Sequence, residues 1–261
     1  MRRKTLIFRS LVAALPVLAG LAGCSSVPNL VDEKSLVAKC GEAFDEMKRS
    51  QKISKDPKLN AMMQRVCIRL TESLDFWGLP LAEWEFVVFD APNTVNALAM
   101  PGGKIAVFSG TFDVVKTDDE LAVVLGHEIS HVTAKHVNKR FSREMLVQAG
   151  GTGLLIGTGG ALTSLAVLTV YNYQTGHYGL SFDRGNETEA DHIGLLYMAR
   201  AGYNPRAAID LWERMNSSPS GKEAPPEWLS THPSNENRLA RLYGWMTEAE
   251  AEYEKARAKT Q

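Results

Sequence analysis

His127-Glu128-Ile129-Ser130-His131 sets two imidazoles four residues apart with a carboxylate beside the first. On a helix, residues four apart share a face, so both rings can reach one ion while Glu128 projects toward a water on that ion. The apolar lead-in of Leu121, Val123, Val124 and Leu125 suits a buried helix. From the chain's own His and Glu content, the pattern arises by chance on the order of once in a hundred such chains. That weighs against a coincidence on a solvated helix, and the chemistry indicated is metal-assisted hydrolysis with Glu128 as the general base.

Two histidines make an incomplete site, because catalytic zinc takes three protein ligands and keeps a position open for water. Glu187-Thr188-Glu189-Ala190-Asp191 is the best source of the third ligand. On a helix Glu187 and Asp191 share a face, whereas Glu189 is turned away from Glu187 by about 200°. The expected ligands are therefore His127, His131 and Glu187 for one zinc ion, with Asp191 accepting the free ring N–H of a ligand histidine and fixing its tautomer. The plain alternative is an acidic first turn that the helix dipole favours. His136 falls half a turn off the metal face of a continuous helix, which reads as surface or as the layer behind the ligands; His177 and His192 receive no role.

The elements that must position these groups follow from pattern. Helices are predicted over Glu33 to Gln51 and Pro57 to Leu74, the second with Leu59, Met62, Met63, Val66 and Leu70 on one face. Strands are expected over Trp84 to Phe89, Val95 to Met100 and Lys104 to Phe108, with Pro101-Gly102-Gly103 turning between the last two. A short helix near Thr111 precedes a long one capped by Thr117 or Asp118 and running to about Lys139. Further helices are expected over Glu187 to Arg200, Pro205 to Met215 and Ser234 to about Lys259, with a Pro/Ser/Gly connection from Asn216 to Pro226. The fold class is α+β, helix-dominated, with a small sheet flanking the helix that carries both histidines.

The first 23 residues read as an export signal: Arg2, Arg3, Lys4 and Arg9, then an uncharged apolar run from Ser10 to Gly23 too short to span a bilayer. Shedding those four cations takes the formal charge from −1 to −5, so no basic surface is implied and nucleic acid is not expected as a partner. The remaining 238 residues suit one domain. The expected organisation is 1–23 signal peptide, 24–32 tether and 33–261 catalytic domain. Leu21-Ala22-Gly23-Cys24 resembles the lipobox of bacterial lipoproteins, which implies a lipid on Cys24 and attachment to a membrane without crossing it. Ser25 after that cysteine favours the outer membrane over the inner. Cys40 and Cys67 remain as either a disulfide or two buried free thiols. Met145 to Phe182 holds no charged residue; a single crossing there would put His127 and Glu187 on opposite sides of the bilayer, so an apolar hairpin near the site is favoured.

Asn96-Ala97 with Pro101-Gly102-Gly103, the His127–His131 motif, Glu187 to Asp191, Gly202-Tyr203-Asn204-Pro205, and Thr231-His232-Pro233-Ser234 with Arg238 together resemble the zinc metallopeptidase family of HtpX and the CAAX prenyl protease. Within it they are most similar to the small periplasmic lipoproteins of the kind represented by BepA and LoiP. The resemblance implies a gluzincin-type, zincin-like domain and peptide hydrolysis. It also implies envelope quality control, with unfolded or misassembled envelope proteins as substrates. Leu98 departs from the family's aromatic residue at that position. The strand bearing Asn96 and Ala97 is a candidate to pair with an extended substrate. His232, held in extended geometry by Pro233, is a candidate to stabilise the oxyanion, to plug the zinc's open position, or merely to cap the next helix. Arg238 is a candidate partner for Glu187 or for substrate. Two rivals stand beside the peptidase: a lipoprotein chaperone or assembly factor with a mainly structural or regulatory zinc, and an integral prenyl-protein peptidase. Oligomeric state is not legible.

Overall fold

The computed structural model describes residues 30–74, 83–143, 184–217 and 237–260. Cys24, His177, His232 and the uncharged stretch from Met145 to Phe182 lie outside them. In chain order the elements are α1 (Glu33–Ser50), α2 (Pro57–Leu74), β1 (Glu85–Phe89), β2 (Ala97–Met100), β3 (Lys104–Phe108), α3 (Thr111–Val114), α4 (Asp118–Thr133), α5 (136–143), α6 (Arg184–Arg200), α7 (Arg206–Ser217) and α8 (Arg238–Thr260).

The sheet runs β1-β3-β2, with β1 parallel and β2 antiparallel to β3. Gly102 and Gly103, both at positive φ, make the turn of the β2–β3 hairpin. Strand side chains alternate between two apolar clusters. Val88, Ala97, Ile105 and Val107 face a large core built with α2, α4, α6, α7 and α8. Val87, Phe89, Leu98, Met100, Ala106 and Phe108 face a smaller one closed by Leu36, Phe44 and Met47 of α1 and Phe141 of α5. The sheet is thus covered on both faces, and α4 lies in the larger core against β2, α2 and α6.

Cys40 belongs to the smaller cluster and Cys67 to the larger, on opposite faces of the sheet. Both thiols are free and buried, so of the two alternatives the disulfide is not the one formed. A correction concerns α4, which stops at Thr133 rather than running on to Lys139. Lys135 adopts φ 58°, a left-handed conformation that ends a helix, and α5 begins at the next residue. No helix among the described residues is long and apolar enough to cross a membrane.

Candidate metal centre

The helix bearing the histidines is fixed at its first turn. Thr117 caps α4 by accepting from the Glu120 amide at 3.2 Å, and Asp118, Asp119 and Glu120 supply the negative charge favoured at a helix N-terminus. Each acid also ties α4 to a neighbour. Asp118 takes both the Nε and Nη2 donors of Arg65 from α2 at 2.5 and 2.7 Å, and Glu120 accepts from Arg214 of α7 at 2.8 Å. Asp119 accepts from the Asn204 amide at 2.9 Å, in the turn that follows α6. That turn is why Gly202-Tyr203-Asn204-Pro205 reads as it does. Gly202, at φ 76°, closes α6 with Gly202 N–H donating to Ala199 and Tyr203 N–H donating to Met198, which is the paired-bond helix stop that glycine permits.

The crossing of α4 over α6 sets the site. Gly126 and Gly194 face each other so closely that a Cβ on Gly126 would sit 2.7 Å from the Gly194 carbonyl oxygen, and one on Gly194 would sit 2.7 Å from the His127 nitrogen. The Ser130 hydroxyl lies 2.6 Å from the His127 carbonyl and 3.0 Å from that of Ala190, bridging the two helices. Tyr197 donates to Thr133 at 2.9 Å one turn further on.

This contact brings His127, His131 and Glu187 together, all buried, with one donor atom from each inside a 4.8 Å sphere of mutual distance. The two Nε2 atoms are 3.0 Å apart, and they stand 3.4 and 3.5 Å from the Glu187 oxygens. His127 Nδ1 is 2.9 Å from Asp191 Oδ1. A carboxylate there accepts the ring proton and leaves the Nε2 lone pair facing inward. Arg238, the first residue of α8, donates from Nε to Asp191 Oδ2 at 2.5 Å and from Nη2 to Glu187 Oε2 at 3.2 Å. Its guanidinium also stacks 4.0 Å over the Trp212 ring. Two ring nitrogens and a carboxylate buried at these distances repel one another unless a proton or a metal cation sits among them, and the N/O donor set suits zinc. Burial by itself would pull the His127 imidazole down, but Asp191 and Glu187 together raise it to about 10 in the metal-free protein. Proton and metal therefore compete for one lone pair. Asp191 is held below the usual carboxylate range: burial pushes it up, and the bond to His127 and the charge of Arg238 more than reverse that.

Glu128 is buried on α4 next to His127, as the motif requires. Asn96 and Ala97 are buried rather than lining an open rim. The Asn96 main chain exchanges bonds with the Thr111 hydroxyl at 2.9 and 2.7 Å, and its side-chain oxygen accepts from the Ala97 amide at 2.9 Å. They anchor the start of β2, so side-chain contact with substrate is not what the structure gives them. His192 stacks on Trp245 and meets Glu248 at 3.0 Å, away from the ligands. His136 proves fully buried, which removes the surface reading. Burial holds it below the usual imidazole range, and its Nδ1 lies 2.9 Å from that of His131. Glu189, which helical spacing turns away from the metal, lies 3.0 Å from His136 Nε2. Sequence reasoning missed this pair because it took α4 to be continuous past residue 135.

A helix-borne pair of histidines with a glutamate from a second helix defines a gluzincin-type metallopeptidase site on a zincin-like, helix-dominated domain. Residues 54–246 match peptidase family M48, and the chain belongs to that family, whose metal is zinc. It is similar to mitochondrial metalloendopeptidase OMA1 of Schizosaccharomyces pombe, 35% identical over 179 residues, covering 68% of this chain and 51% of that protein. It is also similar to human metalloendopeptidase OMA1, 32% identical over 206 residues and covering 76% and 39%. The beta-barrel assembly-enhancing protease of Escherichia coli K12 is 30% identical over 200 residues, covering 75% of this chain and 40% of its own length. The chain thus spans about half or less of the length of these relatives.

Proposed function

We propose that this chain is a zinc metalloendopeptidase of the bacterial envelope, with zinc held by His127, His131 and Glu187. The observation that carries this reading is the convergence of three buried ligand atoms, with the Asp191 carboxylate against the outer ring nitrogen of His127. Zinc, when bound, supplies the Lewis acidity that polarises the attacking water and the scissile carbonyl. Glu128 takes the proton from that water and later delivers it to the leaving amine. Asp191 holds His127 in the ligating tautomer, and Arg238 restrains Glu187 and Asp191 at once. Among the described residues β2 is an edge strand of the sheet. The Asn96 carbonyl pairs with the Phe108 amide, so alternation turns the backbone groups of Ala99, which is only partly buried, away from β3 toward the edge where an extended substrate can add a strand.

The family membership and the name of the E. coli relative support unfolded or misassembled envelope proteins as substrates. The basic and apolar first 23 residues, the Leu21-Ala22-Gly23-Cys24 signature and Ser25 support export and a lipid anchor in the outer membrane, with a tether to residue 32 and the catalytic domain after it. His232 precedes Arg238 by six residues; the anchoring of Arg238 on both site carboxylates supports a contact of His232 with the zinc site. Zinc content and casein cleavage, measured for the wild type and Glu128→Gln, test the reading. The variant should keep its zinc and lose 10²- to 10⁴-fold in cleavage, the scale of a removed general base. A metal-loaded variant that cleaves normally sinks the mechanism, and zinc-loaded wild type with no peptidase activity favours the chaperone or assembly factor.

A further inference from the structure

His127 and His131 need the same thing from their surroundings and obtain it by different routes. Each must carry its ring proton on Nδ1 so that Nε2 is free to ligate. For His127 the acceptor is the Asp191 carboxylate, in direct contact. For His131 the atom facing Nδ1 is a second histidine nitrogen, His136 Nδ1, at 2.9 Å. An imidazole nitrogen accepts only when its proton sits on the other nitrogen, and His136 Nε2 faces Glu189 Oε2 at 3.0 Å. The Glu189 carboxylate has no proton to give, so His136 donates from Nε2 and accepts at Nδ1 a hydrogen bond from His131, whose Nδ1 keeps its proton. One carboxylate therefore sets the direction of both bonds and the tautomer of the ligand.

The backbone is arranged for this. On a continuous helix His136 would stand five residues, or about 140°, round from His131. The left-handed Lys135 breaks the helix and returns the next residue onto the ring of His131, with ring centroids 4.9 Å apart. A non-glycine residue at positive φ is uncommon and persists where the surroundings require it. Lys139, one turn along α5, lies 3.7 Å from the same Glu189 oxygen.

We infer that His136 and Glu189 are positioning residues for the metal: Glu189 on α6 fixes the tautomer of His131 through His136, as Asp191 on the same helix does directly for His127. The inference rests on the ligand set proposed above. It explains why α6 carries three acids in five residues, one expected to ligate and two to orient the two histidines.

The test is the zinc dissociation constant by chelator competition, with the visible spectrum of the cobalt-substituted protein, in the full chain carrying Glu189→Gln, His136→Leu or Lys139→Ala. Glu189 is about half exposed on its side chain, so Glu189→Gln stays folded even if the buried His136→Leu does not. A neutral amide no longer dictates the direction of the relay. Glu189→Gln should weaken zinc binding 10- to 100-fold and alter the cobalt spectrum, with the melting temperature of the metal-free protein unchanged. Lys139→Ala should leave the affinity as it is. Wild-type zinc affinity and cobalt spectrum in Glu189→Gln overturn the inference, as does a Lys139→Ala loss equal to that of Glu189→Gln, which would assign the effect to a surface ion pair. Glu187→Ala is measured alongside: if it keeps its zinc, the ligand set is what fails, and if it loses zinc while Glu189→Gln does not, only the relay fails.

Discussion

At the scale of single residues, the site is a set of buried charges that stabilise the fold only when all are present. Arg238 compensates two carboxylates, Glu187 and Asp191, while its flat face rests on Trp212. Removing one partner from such a group leaves the others buried without compensation, at a cost of about 3–5 kcal/mol. Arg238→Leu should lower the stability of the metal-free protein on that scale, read by urea denaturation. Lysine offers a point charge in place of a planar fork, so Arg238→Lys should restore less than half of the loss. Full restoration by lysine would show that charge alone matters there. Glu187→Ala differs in kind, because it removes an expected ligand: zinc retention in dialysis should fall, whereas Glu189→Ala should keep the Glu187 ligand and lose only the orientation of His131.

The crossing of α4 and α6 decides whether the ligands meet at the scale of elements. Gly126 immediately precedes the first histidine, and Gly194 lies two turns beyond Glu187; neither tolerates a side chain, since the obstructing atoms are backbone. Overpacking a close contact costs about 1–3 kcal/mol. Gly194→Ala should therefore destabilise the domain by about that much and also weaken zinc binding, because the helices must part where they carry His127 and Glu187. Loss of stability with unchanged zinc affinity would mean that α6 can slide without moving its first turn. The Thr117 cap is a separable device: Thr117→Ala should cost about 1 kcal/mol in thermal unfolding and leave the metal constant alone.

Across the whole molecule, the sheet separates two cores, and each holds one cysteine. Denatured without reductant, the protein should titrate both Cys40 and Cys67 as thiols, and in the folded state both should resist alkylation. Burial pushes the Cys40 thiol up to about 12 and the Tyr203 phenol also to about 12, and it raises Cys67 further. Folded values above the unfolded ones mean that the stability these groups contribute is fully present below their ordinary values of 9.0 and 10.0. It is lost as pH rises through the folded values. Melting temperature should accordingly fall between about pH 9 and 12, and a flat profile there would contradict the burial of these side chains. The proposed lipid on Cys24 has its own test: Cys24→Ala should release a folded, zinc-binding protein into the soluble fraction, and retention after salt washing would implicate the uncharged stretch instead.

Much of this was legible in the chain itself, because it depends on neighbours. The four-residue spacing of His127 and His131, the apolar face of α2, the Thr117 cap and the Pro101-Gly102-Gly103 turn are set within a few residues, where periodicity and local hydrogen bonding govern. The assignment of Glu187 and Asp191 to one face follows from the same geometry. Other features required distant parts of the chain to meet. The β1-β3-β2 order, with its parallel pair, places Cys40 and Cys67 on opposite faces of the sheet, and no spacing encodes that. The left-handed turn at Lys135 is adopted by a residue with no propensity for it; only in the fold do His131 and Glu189 flank the buried His136. Local pattern thus determined which side chains can hold a metal. Tertiary packing decided which groups hold those side chains, because the orientation of a buried ring depends on what the rest of the chain brings against it.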